Sequence, residues 1–344
     1  MSERAKVPLE RLLETDQERM LRLEELLARR VVGHTQALSR VAAILRRNAS
    51  GFRSQRPIGS FLLLGSTGIG KTETAKALAE CLFHSPQAMT RLDMSEYAEP
   101  HAVARLVGAP PGYVGHDAGG QLTEAIRRKP YQVLLLDEIE KAHLDVLEAF
   151  LQVFDEGRLT DGLGRTVDFT NTVIVLTSNL GSDALRSRKA GGRIGFSADD
   201  GDETSAVESI LIEAAKRELP PELYNRIDEV LAYAPLTRRD VQEIACRMLD
   251  ALSRDLASSR RVTLEFDAPV IEFLLDQGGF DPEFGARPMR RTVARLVEAQ
   301  LAEFLLRGDI QSGDRARVSI DTDRLVIHVN RGHRRGTSPR ESRL

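Results

Sequence analysis

The sequence predicts an α/β fold: a parallel sheet flanked by helices that carries a phosphate-binding loop, then a smaller, mostly helical unit with terminal strands. Three observations predict it. Short apolar runs alternate with helical patterns after residue 58, the rhythm of a parallel sheet covered on both faces. One run ends at Gly65-Ser-Thr-Gly-Ile-Gly-Lys-Thr72, which fits G-x-x-x-x-G-K-T between a predicted strand and a predicted helix. After Pro235 the alternation gives way to three helical stretches and a strand pair.

The composition agrees. A length of 344 residues suggests two domains, and 42% hydrophobic content is enough for a buried core. With 5% aromatic residues, no Trp and 29% charged residues, the profile suits a helix-rich soluble protein. A net charge of −3 and a pI near 6.2 provide no global positive field for nucleic acid or an anionic membrane. Cys81 and Cys246 each sit in a helical pattern. Two thiols are too few for a disulfide framework or zinc cluster, so both are expected to be small core residues. No apolar region backs the first charges and no window reaches 18 apolar residues, so a cytoplasmic chain without membrane contact is expected.

In chain order, residues 1–30 form an N-terminal helical segment. Leu9, Leu12, Leu13, Met20, Leu23, Leu26 and Leu27 recur there at three- and four-residue steps. Residues 31–235 are the large domain. A helix is predicted over 36–49, a loop over 48–58, a strand over 61–64, a helix over 71–82, and strands over 89–94, 133–136 and 173–177. Residues 236–330 are the small domain, with helices over 238–256, 268–277 and 288–306 and a hairpin or strand pair over 315–329. The tail, 331–344, is basic and rich in Gly, Ser and Pro, and is expected to be disordered.

Chemistry is carried first by the loop Gly65, Ser66, Thr67, Gly68, Ile69, Gly70, Lys71 and Thr72. Its glycines let backbone N–H groups and a helix N-terminus point at a phosphate. Lys71 adds positive charge at the β- and γ-phosphates, and the Thr72 hydroxyl can bind Mg²⁺. Asp137 and Glu138 follow four apolar residues at a strand's C-terminal end, where ligands bind in such sheets. Asp137 then holds the Mg²⁺ hydration shell and Glu138 polarises the attacking water. Asn179, at another strand end, is a neutral amide able to orient that water. ATP and Mg²⁺ are therefore the expected cofactors.

With these elements in place, the chain resembles a ring-forming AAA+ ATPase, and specifically the Clp unfoldase family. The similarity is greatest to the second ATPase module of two-ring members and covers about residues 8 to 330. Five stretches carry it: Arg56-Pro-Ile-Gly-Ser60, Gly108-Ala-Pro-Pro-Gly-Tyr-Val-Gly115, Asp137-Glu-Ile-Glu-Lys-Ala-His143, Tyr224-Asn-Arg-Ile-Asp228 and Gly285-Ala-Arg-Pro288. The resemblance implies that Val31 and Val32 pack on the adenine. It also implies that Arg226 is an arginine finger reaching the γ-phosphate of a neighbouring subunit, and that Arg287 is the second-sensor arginine of its own subunit. A guanidinium at the γ-phosphate stabilises the charge that spreads over it during transfer. Without the family pattern, Arg226 reads as a surface salt bridge to Asp228 or Glu229.

The 108–115 stretch, with two prolines and three glycines, must be a loop between 102–107 and 121–128. From the residues alone, Tyr113 is a structural anchor. The resemblance instead places Tyr113, flanked by Val114, in a pore where it grips polypeptide, a task suited to an aromatic ring. A nucleic-acid motor is expected to line its pore with Lys and Arg, and residues 108–120 contain neither. Ile194, Gly195 and Phe196 lie in a polar stretch that resembles the peptidase-docking tripeptide of Clp unfoldases; a plain linker is the rival reading. The implied partners are a homo-hexamer, polypeptide substrates, a Clp-type peptidase ring and adaptors.

Ser66 stands where the family often has Pro, and His34 where Gln is usual. About thirty residues precede the ATPase module, so the first ring, coiled-coil insertion, N-terminal substrate domain and zinc-binding adaptor module are expected to be absent. A stand-alone disaggregase-like chaperone stays open. So does a nucleic-acid motor, supported only by the basic tail (Arg331, Arg334, Arg335, Arg340, Arg343), and so does a scaffold that binds ATP but hydrolyses it poorly. Intact Glu138, Asn179, Arg226 and Arg287 argue against the last.

Overall fold

A computed structural model describes residues 17–51, 55–109, 119–182, 184–185 and 200–331. Leu9, Leu12, Leu13, Tyr113, Val114, Ile194, Gly195, Phe196 and the tail from residue 332 fall outside them. The chain divides into two compact units at Pro235/Leu236.

In the first unit, helices α1 (Leu23–Arg30) and α2 (Thr35–Ala49) precede the sheet. Leu23 and Leu27 of α1, and Leu38, Val41 and Leu45 of α2, are buried at helical spacing. Strand β1 (Gly59–Leu64) leads through the phosphate loop to α3 (Lys71–Phe83) and β2 (Met89–Asp93). Helices α4 (Ala102–Val107) and α5 (Gln121–Arg128) precede β3 (Gln132–Asp137). Helix α6 (Leu144–Glu156) and a hairpin of β4 (Arg158–Thr160) and β5 (Thr166–Asp168) follow, before β6 (Thr172–Ser178). Helices α7 (Asp200–Glu218) and α8 (Pro221–Tyr224) lead to β7 (Glu229–Ala232).

The sheet order is β2-β3-β6-β1-β7, and every pairing is parallel. Every residue of β1 and β6 is buried, whereas the edge strands β2 and β7 are partly open. That explains why the central strands are legible as unbroken apolar runs and β7 is not. All five C-terminal strand ends share one edge, which therefore gathers Gly65, Asp137 and Asn179 on the adjacent strands β3, β6 and β1.

The second unit contains α9 (Arg238–Arg260), β8 (Thr263–Phe266), α10 (Ala268–Leu274), α11 (Arg287–Val293), α12 (Ala299–Arg307), β9 (Arg315–Asp321) and β10 (Arg324–Asn330). Thr237 and Asp240 cap α9 reciprocally. Thr322 and Asp323, both at positive φ, turn β9 into β10.

Several expectations change. The terminal strand pair is a three-stranded sheet, because β8 pairs in parallel with β9; four alternating residues are too short a signal to read. Helix 268–277 ends at Leu274, where the chain widens into a turn with Gly278 at φ 90°. The long helix of 288–306 is interrupted by a wider turn at Ala294–Glu298. Both cysteines are free and only partly buried, not core residues. Among the described residues no helix is long and apolar enough to cross a membrane.

Candidate functional site: a phosphate cradle and an arginine on opposite sheet edges

The phosphate loop leaves β1 through Gly65 and enters α3 through Gly70, with Gly65, Gly68 and Gly70 all at positive φ. A Cβ on Gly65 would lie 2.4 Å from Ile69 Cδ1 and 2.7 Å from the Tyr233 carbonyl. Only glycine fits that turn. Lys71, 8% exposed, donates to the carbonyls of Gly65, Ser66 (3.1 Å) and Ser178 (3.0 Å) and to Asn179 Oδ1 (2.8 Å). The Lys71–Asn179 bond brings two residues predicted from distant parts of the sequence into one site.

Glu138 has φ 56° and ψ 54°, a left-handed conformation that costs a non-glycine residue about 1 kcal/mol. Its backbone N–H donates to Thr177 Oγ1 (3.2 Å), and its carboxylate accepts from Asn179 Nδ2 (3.3 Å) and Lys141 Nζ (2.5 Å). That hydrogen bond to Glu138 holds the Lys141 ammonium above its ordinary range. Asp137 accepts from the Thr177 hydroxyl and from Arg91 Nη2 (2.6 Å). The Asn179 backbone N–H donates to Glu140 Oε1 (3.0 Å).

Thr177, Arg91, Lys141 and Glu140 were not legible as site residues. A threonine inside an apolar strand and an arginine on an edge strand match no local pattern; only the parallel register brings them to Asp137 and Glu138.

Tyr233 was also missed. It is fully buried, its N–H donates to the Leu64 carbonyl (2.8 Å), and its hydroxyl meets Thr74 Oγ1 (3.0 Å). Burial pushes its phenol up to about 12. The His34 ring stacks on it at 4.1 Å between centroids and donates through Nε2 to the Ile69 carbonyl (2.9 Å). The histidine thus links the segment carrying Val31 and Val32 to the phosphate loop. Both valines are buried, and a cleft of about 300 Å³ is lined by His34, Gln36, Arg40, Val207, Ala232 and other residues of this unit.

The cradle fits a nucleotide triphosphate. Beyond the glycine turn and Lys71, Ser66 Oγ is buried without a hydrogen-bond partner among the described residues, a polar atom placed where phosphate oxygens are expected. Thr72 and Asp137 supply the hard oxygen donors that Mg²⁺ prefers when it binds with phosphates.

Arg226 lies elsewhere. The Asp228 N–H donates to the Ser60 carbonyl (3.1 Å), and Asp228 Oδ2 accepts from the Ser60 N–H (2.8 Å) and hydroxyl (2.9 Å). Arg226 is therefore anchored at the N-terminal edge of the sheet. The strand from Ser60 to Gly65 covers roughly 16 Å, further than one arginine side chain reaches. Its expected partners are corrected: Arg226 Nε pairs with Asp155 Oδ2 (2.5 Å) and Nη1 donates to the Glu222 carbonyl (2.7 Å). Asp228 is taken by Ser60 and Arg56, and Glu229 by Arg40. In the second unit, Arg287 is exposed at the start of α11, after Gly285 at φ 60°.

A glycine phosphate cradle, an acidic strand end and an asparagine on the next strand define a P-loop ATPase module with a separate small unit. The family described as "AAA domain (Cdc48 subfamily)" matches residues 56–230, and the chain belongs to it. Residues 236–318 match the "C-terminal, D2-small domain, of ClpB protein", so the module is of the Clp type. Chaperone protein ClpB of Agrobacterium fabrum is 47% identical over 324 residues, 94% of this chain and 36% of that protein. ClpB of Bacillus cereus strain ATCC 14579 is 46% identical over 94% of this chain and 36% of its own length. The chloroplastic ClpC2 of Oryza sativa subsp. japonica is 44% identical over 94% and 35%. The chain thus spans about a third of the length of the curated relatives it matches.

Proposed function

We propose that this chain is an ATP-driven protein unfoldase and translocase that works as a homo-hexamer. The observation that carries this reading is the separation of Arg226 from its own phosphate loop across the sheet. Two complementary halves of a site on opposite edges are completed by a neighbour in head-to-tail contact, and such contacts form rings when the rotation between neighbours closes. Arg226 then supplies its guanidinium to the next subunit's γ-phosphate, and hydrolysis depends on assembly.

Within one subunit, Lys71 turns its ammonium to the β- and γ-phosphates. Thr72 and Asp137 would hold Mg²⁺, which would neutralise phosphate charge. Glu138 orients the attacking water and accepts its proton, while Asn179, hydrogen-bonded to both Glu138 and Lys71, fixes the carboxylate's direction. Val31 and Val32 face the base, and the resemblance assigns Arg287 the second-sensor role.

Polypeptide is the substrate we favour. Gly108 and Gly120 are packed together so closely that a Cβ on Gly120 would lie 2.0 Å from the Leu106 carbonyl and 2.5 Å from the Gly108 nitrogen. Gly108 and Gly120, which flank the stretch carrying Tyr113 and Val114, therefore lie side by side, and residues 108–120 carry no Lys or Arg for phosphates. The reading that Ile194, Gly195 and Phe196 dock a peptidase rests on their spelling and position alone. The names of the relatives, chaperones ClpB and ClpC2, support a chaperone.

The test uses a tagged fluorescent protein as substrate. Tyr113→Ala is expected to keep ATPase activity and lose unfolding, and Glu138→Gln to retain ATP and assembled hexamers while hydrolysis stops. Unfolding by the Tyr113 variant, or ATPase activity per chain that is constant on dilution to monomer, refutes the proposal.

A further inference from the structure

Arg226 is held by more than its own loop. Arg56 donates through Nε to the Phe154 carbonyl (2.6 Å) and through Nη2 to the Arg226 carbonyl (2.7 Å), and pairs with Asp228 at 3.8 Å. One guanidinium thus ties the last turn of α6 to the backbone of Arg226 and, through Asp228, to β1. The residue after Phe154 is Asp155, whose carboxylate holds Arg226 Nε, while the Glu222 carbonyl holds Nη1. These contacts fix the guanidinium plane and leave Nη2 without a partner among the described residues.

Two features say that Asp155 is there for orientation and not for stability. An ion pair whose side chains are 31% and 45% exposed contributes about 0.2–1 kcal/mol at most. Asp155 and Glu156 also place two acids in the last turn of a helix with no basic residue there, the end where the dipole disfavours negative charge. A locally unfavourable choice of this kind marks a functional position.

We propose that Asp155 is a positioning residue for the hydrolysis reaction, acting through Arg226 in trans: it holds the guanidinium so that Nη2 is presented to the adjacent subunit's γ-phosphate. The inference rests on the proposed role of Arg226. Asp155 pairs with Arg226 at the sheet edge opposite its own phosphate loop. Its loss therefore lowers the neighbour's kcat and leaves the affinity for ATP unchanged.

The experiment mixes subunits of the full chain. Arg226→Ala alone is expected to lose about 10³-fold in kcat, the scale of an arginine finger. Asp155→Ala alone is expected to lose between about 10- and 100-fold, the scale of a misplaced group, with KM for ATP within about twofold of wild type. Asp155→Asn, which keeps an acceptor oxygen for Nε–H, retains most of kcat and controls for misfolding. Each variant is then mixed with Glu138→Gln subunits, which do not hydrolyse ATP but carry an intact Asp155–Arg226 pair. Both alanine variants are expected to regain ATPase activity, since their own sites receive a correctly held arginine from the partner. Rescue of Arg226→Ala without rescue of Asp155→Ala overturns the positioning role and spares the trans role. Failure to rescue Arg226→Ala overturns both. A wild-type kcat in Asp155→Ala, or a rise in KM that accounts for its whole effect, overturns the proposal directly.

Discussion

Thr74 and Tyr233 share one buried hydrogen bond beneath the phosphate loop, and its direction predicts an unequal cost for the two sides. Thr74 has a single hydroxyl proton, which it donates to the Gly70 carbonyl at 3.0 Å. The Tyr233 hydroxyl, 3.0 Å away, must then be the donor. Tyr233→Phe removes the donor and strands no proton, so its cost is that of one neutral hydrogen bond, about 1 kcal/mol. Thr74→Val preserves shape, and the Gly70 carbonyl still accepts from the Thr74 backbone N–H at 2.9 Å. What it strands is a fully buried phenolic O–H, which costs roughly 1–3 kcal/mol. The double variant removes both groups and is expected to cost less than the two single changes summed.

The assay is hydrogen exchange of amides in β1 and α3, which reports the first unit without assuming that both units unfold together. Equal costs for the two single variants, or strict additivity in the double, refute the assigned direction of the bond.

Two further outcomes follow from the same neighbourhood. The Tyr233 phenol, raised to about 12 from an ordinary value near 10, is favoured in its neutral form by the fold. Its contribution is full below about pH 10 and is lost as pH rises toward 12, by about 3 kcal/mol in total. Tyr233→Phe should therefore show a shallower fall of the urea midpoint than wild type across that window. Gly65→Ala brings a Cβ against Ile69 and the Tyr233 carbonyl, whereas Gly164→Ala, also at positive φ, meets nothing within 4 Å. Gly164→Ala is expected to cost about 1 kcal/mol from backbone strain alone. Gly65→Ala should cost more and should also lower the affinity for a fluorescent ATP analogue; equal effects on both measurements would show that the cradle tolerates a side chain.

The cradle was legible because its geometry is local. Gly65, Gly68 and Gly70 are needed for backbone angles that neighbouring residues set, and Lys71 starts the helix that follows. The three buried strands were legible for a related reason: a strand covered on both faces must be apolar throughout. The edge strand β7, the short β4–β5 hairpin and β8 were not, since partly exposed runs of three or four residues carry too little periodicity. The partner of Arg226 was not legible, because sequence proximity points the rival salt-bridge reading to Asp228 and Glu229, whereas the fold occupies both and offers Asp155 from the end of α6.

The sequence by itself determined that a triphosphate cradle and an acidic strand end exist. It did so because both are spelled by consecutive residues whose backbone makes the site. Only the tertiary structure decided their company. The parallel register brings Thr177 and Arg91 to Asp137, Tyr233 folds under Gly65, and Arg56 and Asp155 hold Arg226 on the far edge of the sheet. These are single polar residues drawn from separate elements, and no local pattern distinguishes them from a solvated surface until packing assigns each a partner.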